Sequence, residues 1–214
     1  MKNTERQTIL YCNCSFKDLI PEERKQKIRD ALGTADADII AVPDLCQLAA
    51  QHDERLAEWA ATPNLMIAAC YPRAIRWLFQ WAGSPLRDDA EITNLRTESL
   101  KDLPTDDEHP CPSAPISGSP IDDEVTPQGD WIPWFPIIDY EKCTNCKQCL
   151  SFCPFGVYSQ SEDGKVIVTQ PENCKNNCPA CARVCPAVAI IFPKVIDNPI
   201  NGAEVHPEDL EKAK

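Results

Sequence analysis

The chain has 214 residues with 33 acidic against 21 basic side chains, a net charge of −12, and it carries 13 cysteines and 20 prolines. A field of that sign disfavours nucleic acid, no run of eighteen apolar residues is present to span a membrane, and the polar opening Met1–Leu10 lacks the apolar segment of an export signal. Cytoplasmic thiols stay reduced, so the expectation is a cytoplasmic protein whose cysteines bind metal rather than pair as disulfides.

The first hundred residues alternate strand and helix signals. A short apolar strand is predicted at Thr8–Tyr11 and a charged helix at Pro21–Leu32, stopped by Gly33. Asp38–Val42 reads as a second strand. Asp44 can cap the next helix, which carries Leu45, Leu48, Ala49, Leu56 and Trp59. Leu65–Ala69 is a third strand. Pro72 then opens a helix with Ile75, Leu78 and Phe79 on one face, at a position where the missing donor of proline costs nothing. Ile92–Leu95 adds a last strand. Strands separated by helices of this length imply a small parallel, Rossmann-like sheet with right-handed crossovers.

Cys12 and Cys14 follow the first strand, Cys46 follows the second, and Cys70 closes the third. In a parallel sheet such strand ends face one edge, where ligand sites gather, so four thiols from three loops are expected to converge. Cysteines buried as small hydrophobes would instead be scattered through core positions. The expectation is a four-thiolate cluster on Cys12, Cys14, Cys46 and Cys70, with a non-iron metal or a redox-thiol site left open beside it. Cys70 to Arg76 also fits C-x5-R, the spacing of a phosphate loop. Pro72 removes one of the backbone donors such a loop needs, and no glycine is present. Arg73 and Arg76 suit a counter-charge for a cluster or for the carboxylates of a partner. His52, His109 and His206 show no metal-pair spacing, and Trp77 and Trp81 read as helix core or docking face.

Residues 1–97 and 131–214 each carry a net charge of −2, so the remaining −8 falls within 98–130. That stretch also holds six prolines, from Pro104 to Pro127. It cannot bury enough apolar surface to offset its ordering entropy and reads as an acidic, proline-rich linker. Cys111 lies in it as an unpaired thiol.

Beyond the linker, Cys143, Cys146, Cys149 and Cys153-Pro154 stand in the spacing C-x2-C-x2-C-x3-C-P. A near copy follows at Cys174, Cys178, Cys181 and Cys185-Pro186, with one extra residue, Asn176 or Asn177. Three thiolates within seven residues can hold three corners of one cubane, because the chain between them is long enough to wrap a cluster face. Structural zinc knuckles would show two C-x2-C pairs and a spacer instead. Ile137, Ile138, Phe152, Val157 and Ile190 supply an insulating shell, and Trp131, Trp134 and Phe135 lead in and cover its edge.

These runs resemble those of bacterial dicluster ferredoxins over about Pro136–Lys194. The resemblance implies a ferredoxin-like domain with two [4Fe-4S] clusters, the fourth cysteine of each run serving the other cluster. The first set is then Cys143, Cys146, Cys149 and Cys185, and the second Cys174, Cys178, Cys181 and Cys153. The N-terminal layout resembles the N-terminal domain of the flavin-bearing chain of heterodisulfide reductase over roughly residues 8–82. Cys12-Asn13-Cys14, Leu45-Cys46 and Ala69-Cys70-Tyr71-Pro72-Arg73 carry that resemblance, while Ser15 and Tyr71 stand where that family usually has glycine and serine. In that family the domain holds an iron–sulfur cluster beside a large flavin domain. The resemblance therefore implies a third [4Fe-4S] cluster here, and no flavin, since the flavin domain is missing.

The expected organisation is α/β followed by α+β. It comprises a small parallel-sheet domain at 1–97 with a third cluster site, a linker at 98–130, a two-cluster ferredoxin domain at 131–196 and a tail at 197–214. No general base, nucleotide cradle or substrate pocket is evident elsewhere. The expected function is an electron-transfer subunit of a cytoplasmic redox complex, rather than a stand-alone enzyme, with flavoprotein or reductase partners of the heterodisulfide-reductase-like kind. Two other readings stay open. One is a redox enzyme in which Cys12, Cys14 or Cys70 is a thiol fed by the ferredoxin half; the other is a scaffold with structural clusters.

Overall fold

Four short apolar strands set the architecture of the N-terminal half, in a computed structural model that describes residues 6–98 and 131–213. The expected acidic linker, apart from Glu98, and Cys111 lie outside the described residues. Strands β1 (Thr8–Cys12), β2 (Asp38–Val42), β3 (Leu65–Ala69) and β4 (Glu91–Asn94) form one parallel sheet in the order β2-β1-β3-β4. Leu10 pairs with Ile40 on one side and Ile67 on the other. All five residues of β3 are buried, as expected of a parallel strand covered on both faces.

The crossovers are α1 (Glu22–Gly33), the pair α2 (Leu45–Ala50) and α3 (Arg55–Ala61), and α4 (Pro72–Trp81). The single helix expected from Leu45 to Trp59 is thus two. The chain breaks at His52, which adopts a left-handed φ of 49°, and the Asp53 carboxylate then takes the Arg55 N–H at 3.0 Å. Residues that bond their own backbone in this way compete with helix continuation. Pro72 opens α4 as expected, and Ala74, Ile75, Leu78 and Phe79 form its buried stripe.

In the C-terminal half, β5 (Ile137–Ile138) pairs antiparallel with β8 (Ile190–Ile191), and β6 (Tyr158–Gln160) with β7 (Val166–Val168). Short helices α5 (Gln148–Phe152) and α6 (Ala180–Arg183) follow the first cysteines of each run, and α7 (Pro207–Lys212) closes the described chain.

The two halves share one apolar core. Leu10, Ile67, Ile75, Leu78 and Phe79 cluster with Phe135, Ile137 and Ile191. Helix α4 is the bearing surface: Trp81 lies 4.9 Å from the Phe135 ring and donates its Nε1–H to the Val168 carbonyl at 3.1 Å. Gly202 abuts the same helix. With φ at +98°, it passes so close that a Cβ there would sit 2.5 Å from the Ala74 Cβ. Only glycine meets both demands.

Candidate iron–sulfur centres

The two cysteine runs of the C-terminal half line two separate hollows. Cys143, Cys146, Cys149 and Cys185 surround one of about 360 Å³ including its open mouth, walled by Ile138, Val166 and Ile190. Cys153, Cys174, Cys178 and Cys181 surround the other, of about 310 Å³, walled by Phe155, Val157 and Tyr158. The fourth cysteine of each run therefore lines the hollow of the other, the arrangement that the resemblance to dicluster ferredoxins implies. Cys146 is exposed, Cys181 and Cys185 are buried, and the other five are half-buried.

Local backbone chemistry explains how such short loops aim their sulfurs. Asn145 and Lys147 take left-handed φ values of 54° and 62°, which turn the chain between Cys143 and Cys149. Asparagine suits such a position, and its side chain is used as well. Asn145 Oδ1 accepts the Val166 N–H and its Nδ2 donates to the Gly164 carbonyl, both at 3.0 Å, fixing the loop to the β6–β7 hairpin. Asn177, φ 60°, makes the equivalent turn in the second run, and its Oδ1 accepts from Lys17 Nζ at 2.8 Å. The extra residue of that run thus reaches the N-terminal half. Donors also meet the sulfurs. Ala189 N–H points at Cys185 Sγ at 3.4 Å, and the Tyr158 hydroxyl donates to Cys181 Sγ at 3.1 Å.

Cys12, Cys14, Cys46 and Cys70 are all buried and converge at the C-terminal edge of the parallel sheet. Cys12 ends β1, and the loop after it is tied to the β2–α2 turn by Asn13 N–H to Val42 O at 2.9 Å and Ser15 N–H to Pro43 O at 3.0 Å. A left-handed φ of 51° at Cys14 turns its thiol back toward Cys70, which donates to it. Asp44 caps α2 by accepting the Gln47 N–H at 3.1 Å. The first amide of that helix, Leu45 N–H, has no partner within the helix and points at Cys12 Sγ at 3.4 Å.

The thiols are strongly perturbed. Burial pushes Cys12 up to about 12 and Cys46 well above its ordinary value. Cys70 is also raised, first by donating to Cys14 and then by burial. That same hydrogen bond brings Cys14 down to about 7 against its own burial. In the C-terminal half, burial raises Cys149 to about 11, and Cys174 and Cys181 to about 12. Thiolates gathered at one place repel one another and are stabilised by a cation among the sulfurs, and a coordinated metal deprotonates a thiol outright. All-thiolate sets favour soft metal centres such as iron–sulfur clusters. Among the described residues, no three His, Cys, Asp or Glu side chains converge on a point where one ion would sit. A cubane instead takes its four thiolates at separated corners, and the donor sets here fit it.

The remaining candidates have other partners. Arg73 pairs with Asp139 and Arg76 donates to the Ala90 carbonyl at 3.1 Å. His52 lies against the Trp81 ring at 5.1 Å. Sequence reasoning missed Lys194. This residue of the C-terminal half is buried to 3 % exposure and places Nζ 2.5 Å from Asp44 Oδ2, beside the N-terminal cysteines. Its isolation in an apolar run, Ile190-Ile191-Phe192-Pro193-Lys194-Val195, was the available signal.

A family described as a 4Fe-4S dicluster domain matches residues 135–201. An uncharacterized ferredoxin of Methanocaldococcus jannaschii is 54% identical over 63 residues, 29% of this chain and 42% of that protein. Pyruvate synthase subunit PorD of the same organism is 39% identical over 62 residues, 29% of this chain and 70% of PorD. The delta subunit of NADH-dependent phenylglyoxylate dehydrogenase of Aromatoleum evansii is 33% identical over 69 residues, 31% of this chain and 71% of that protein. The chain thus spans less than half of the first of these relatives and about 70% of the other two.

Proposed function

The chain belongs to the 4Fe-4S dicluster ferredoxin family, whose chemistry is iron–sulfur electron transfer, and on that premise we propose that it carries three clusters and serves as an electron-transfer subunit of a cytoplasmic oxidoreductase complex. PorD is named as a subunit of pyruvate synthase, and the delta chain as a subunit of an NADH-dependent phenylglyoxylate dehydrogenase. In this reading Cys143, Cys146, Cys149 and Cys185 hold one cluster, Cys153, Cys174, Cys178 and Cys181 a second, and Cys12, Cys14, Cys46 and Cys70 a third. The third makes the N-terminal half functionally similar to the corresponding domain of the flavin-bearing heterodisulfide reductase chain. A flavoprotein or reductase is the fitting partner.

The observation that carries the reading is the grouping of twelve of the thirteen cysteines into three sets of four, two of them lining apolar-walled hollows and the third buried at the sheet edge. When bound, a cubane accepts and releases one electron with little change of shape. The protein's part is to keep water out, to aim N–H and O–H groups at sulfur, and to hold the sets close together. Cys174 packs against both large apolar cores, the one that contains Cys12, Cys46 and Cys70 and the one that contains Cys181 and Cys185. The second set thereby borders the N-terminal half, and Cys146 of the first set is exposed, so a partner could meet the first set from outside.

The test is single replacement of Cys46 or Cys70 by serine in anaerobically purified protein. The expected result is loss of about four irons per chain with both ferredoxin signals retained. Unchanged iron content would remove the third cluster and return these cysteines to thiol chemistry.

A further inference from the structure

Lysine is rare at 3 % exposure, because removing an ammonium from water costs several kcal/mol unless opposite charge surrounds it. Beside Lys194 Nζ that charge is the Asp44 carboxylate, paired with it at hydrogen-bond distance, while Cys46 lines the same hollow as the ammonium. Resting on the third-cluster reading above, we propose that Lys194, supplied by the ferredoxin half, is the built-in counter-cation of the N-terminal four-cysteine site and raises the reduction potential of that site alone.

Geometry places it there. Lys194 and Cys46 flank the same small hollow, closed by Pro133, Trp134, Phe135, Phe192 and Pro193. The ammonium lies 5.8 Å from the Phe16 ring, in the loop that follows Cys14. Its pairing with Asp44 does not cancel its effect on the site, because the ammonium shares the hollow of Cys46 and Asp44 does not line it. In a dry site an unbalanced charge acts much more strongly than in water. The nearby positive charge favours the reduced, more negative state, so the potential rises.

A purely structural ion pair would clamp the two halves without touching the potential. Arg73 and Asp139 already supply such a clamp across the same seam. The roles separate in an EPR-monitored redox titration of the full chain. Lys194→Met should shift the N-terminal midpoint downward and leave the two ferredoxin midpoints in place. Lys194→Arg should restore it. Asp44→Asn, whose amide oxygen can still cap α2, should shift it upward. About twelve irons with an unmoved N-terminal midpoint in Lys194→Met overturns the counter-cation role alone. About eight irons in the unaltered protein instead overturns the third cluster, and this role with it. Should Lys194→Met lose the N-terminal iron, Asp44→Asn decides: an upward shift supports the role, and no shift refutes it.

Discussion

Arg73 Nε donates to Asp139 Oδ2 at 2.6 Å, joining the first turn of α4 to the residue after β5 across 66 positions of sequence. The same guanidinium reaches the Val188 carbonyl at 2.6 Å and the Pro199 and Ala203 carbonyls at 3.4 and 3.5 Å. One side chain therefore ties the N-terminal helix to three segments of the ferredoxin half. Asp139 in turn accepts the Glu141 and Lys142 amides just before Cys143. Replacing Arg73 with alanine leaves a carboxylate of 2 % exposure without its cation. Losses of that kind run to about 3–5 kcal/mol. Anaerobic urea unfolding should show a destabilisation of that size. Arg73→Lys should recover only part, since one ammonium cannot serve the carboxylate and the carbonyls together.

Gly202→Ala should cost about 1–3 kcal/mol, from overpacking against Ala74. Combining it with Ala74→Gly removes the Cβ contact but neither the 3.0 Å approach to the Ala74 backbone nitrogen nor the positive φ. Thermal unfolding of both variants should show partial recovery. Equal stability of Gly202→Ala and the parent would contradict the close approach.

Tyr158→Phe removes the hydroxyl that donates to Cys181 Sγ at 3.1 Å. Hydrogen bonds to sulfur help set cluster potentials by stabilising the more negative, reduced state. The variant should lower the midpoint of one ferredoxin centre, keep the iron content, and leave the N-terminal centre unmoved. An EPR-monitored titration reads all three.

Asn145→Ala removes two hydrogen bonds that fix the first cysteine loop to the β6–β7 hairpin. Each is worth about 0.5–1.5 kcal/mol, and alanine is also poorer than asparagine at a φ of 54°. The first centre should release its iron faster to a chelator than in the parent. The rate at the second centre should stay the same.

The chemistry-bearing sulfurs were legible in the sequence because their placement follows from local rules. Short-range spacing marked the two C-terminal sets, and parallel-strand topology alone sufficed to bring Cys12, Cys14, Cys46 and Cys70 to one edge. The expected strand at Ile92–Leu95 lies one residue earlier, at Glu91–Asn94, with Leu95 N–H still bonded to the Ala69 carbonyl. Contacts between distant segments were not legible. Nothing in the spacing pairs Lys194 with Asp44, 150 positions away. Trp77 and Trp81 read equally as helix core or docking face, and both serve the seam: Trp77 stands edge-on to Tyr140 at 5.8 Å, and Trp81 packs on Phe135. The break at His52 was missed because apolar periodicity runs through it, while the decisive group was the Asp53 carboxylate. The family comparison covers residues 135–201, so the N-terminal site stands on its own geometry.

The claim on which the rest depends is that three sets of four thiolates hold iron–sulfur clusters. Iron, zinc and acid-labile sulfide per chain, measured on protein purified without oxygen, test it most directly. The expected result is about twelve irons and about twelve sulfides with negligible zinc. Zinc in place of iron, or a colourless protein free of sulfide, would contradict it.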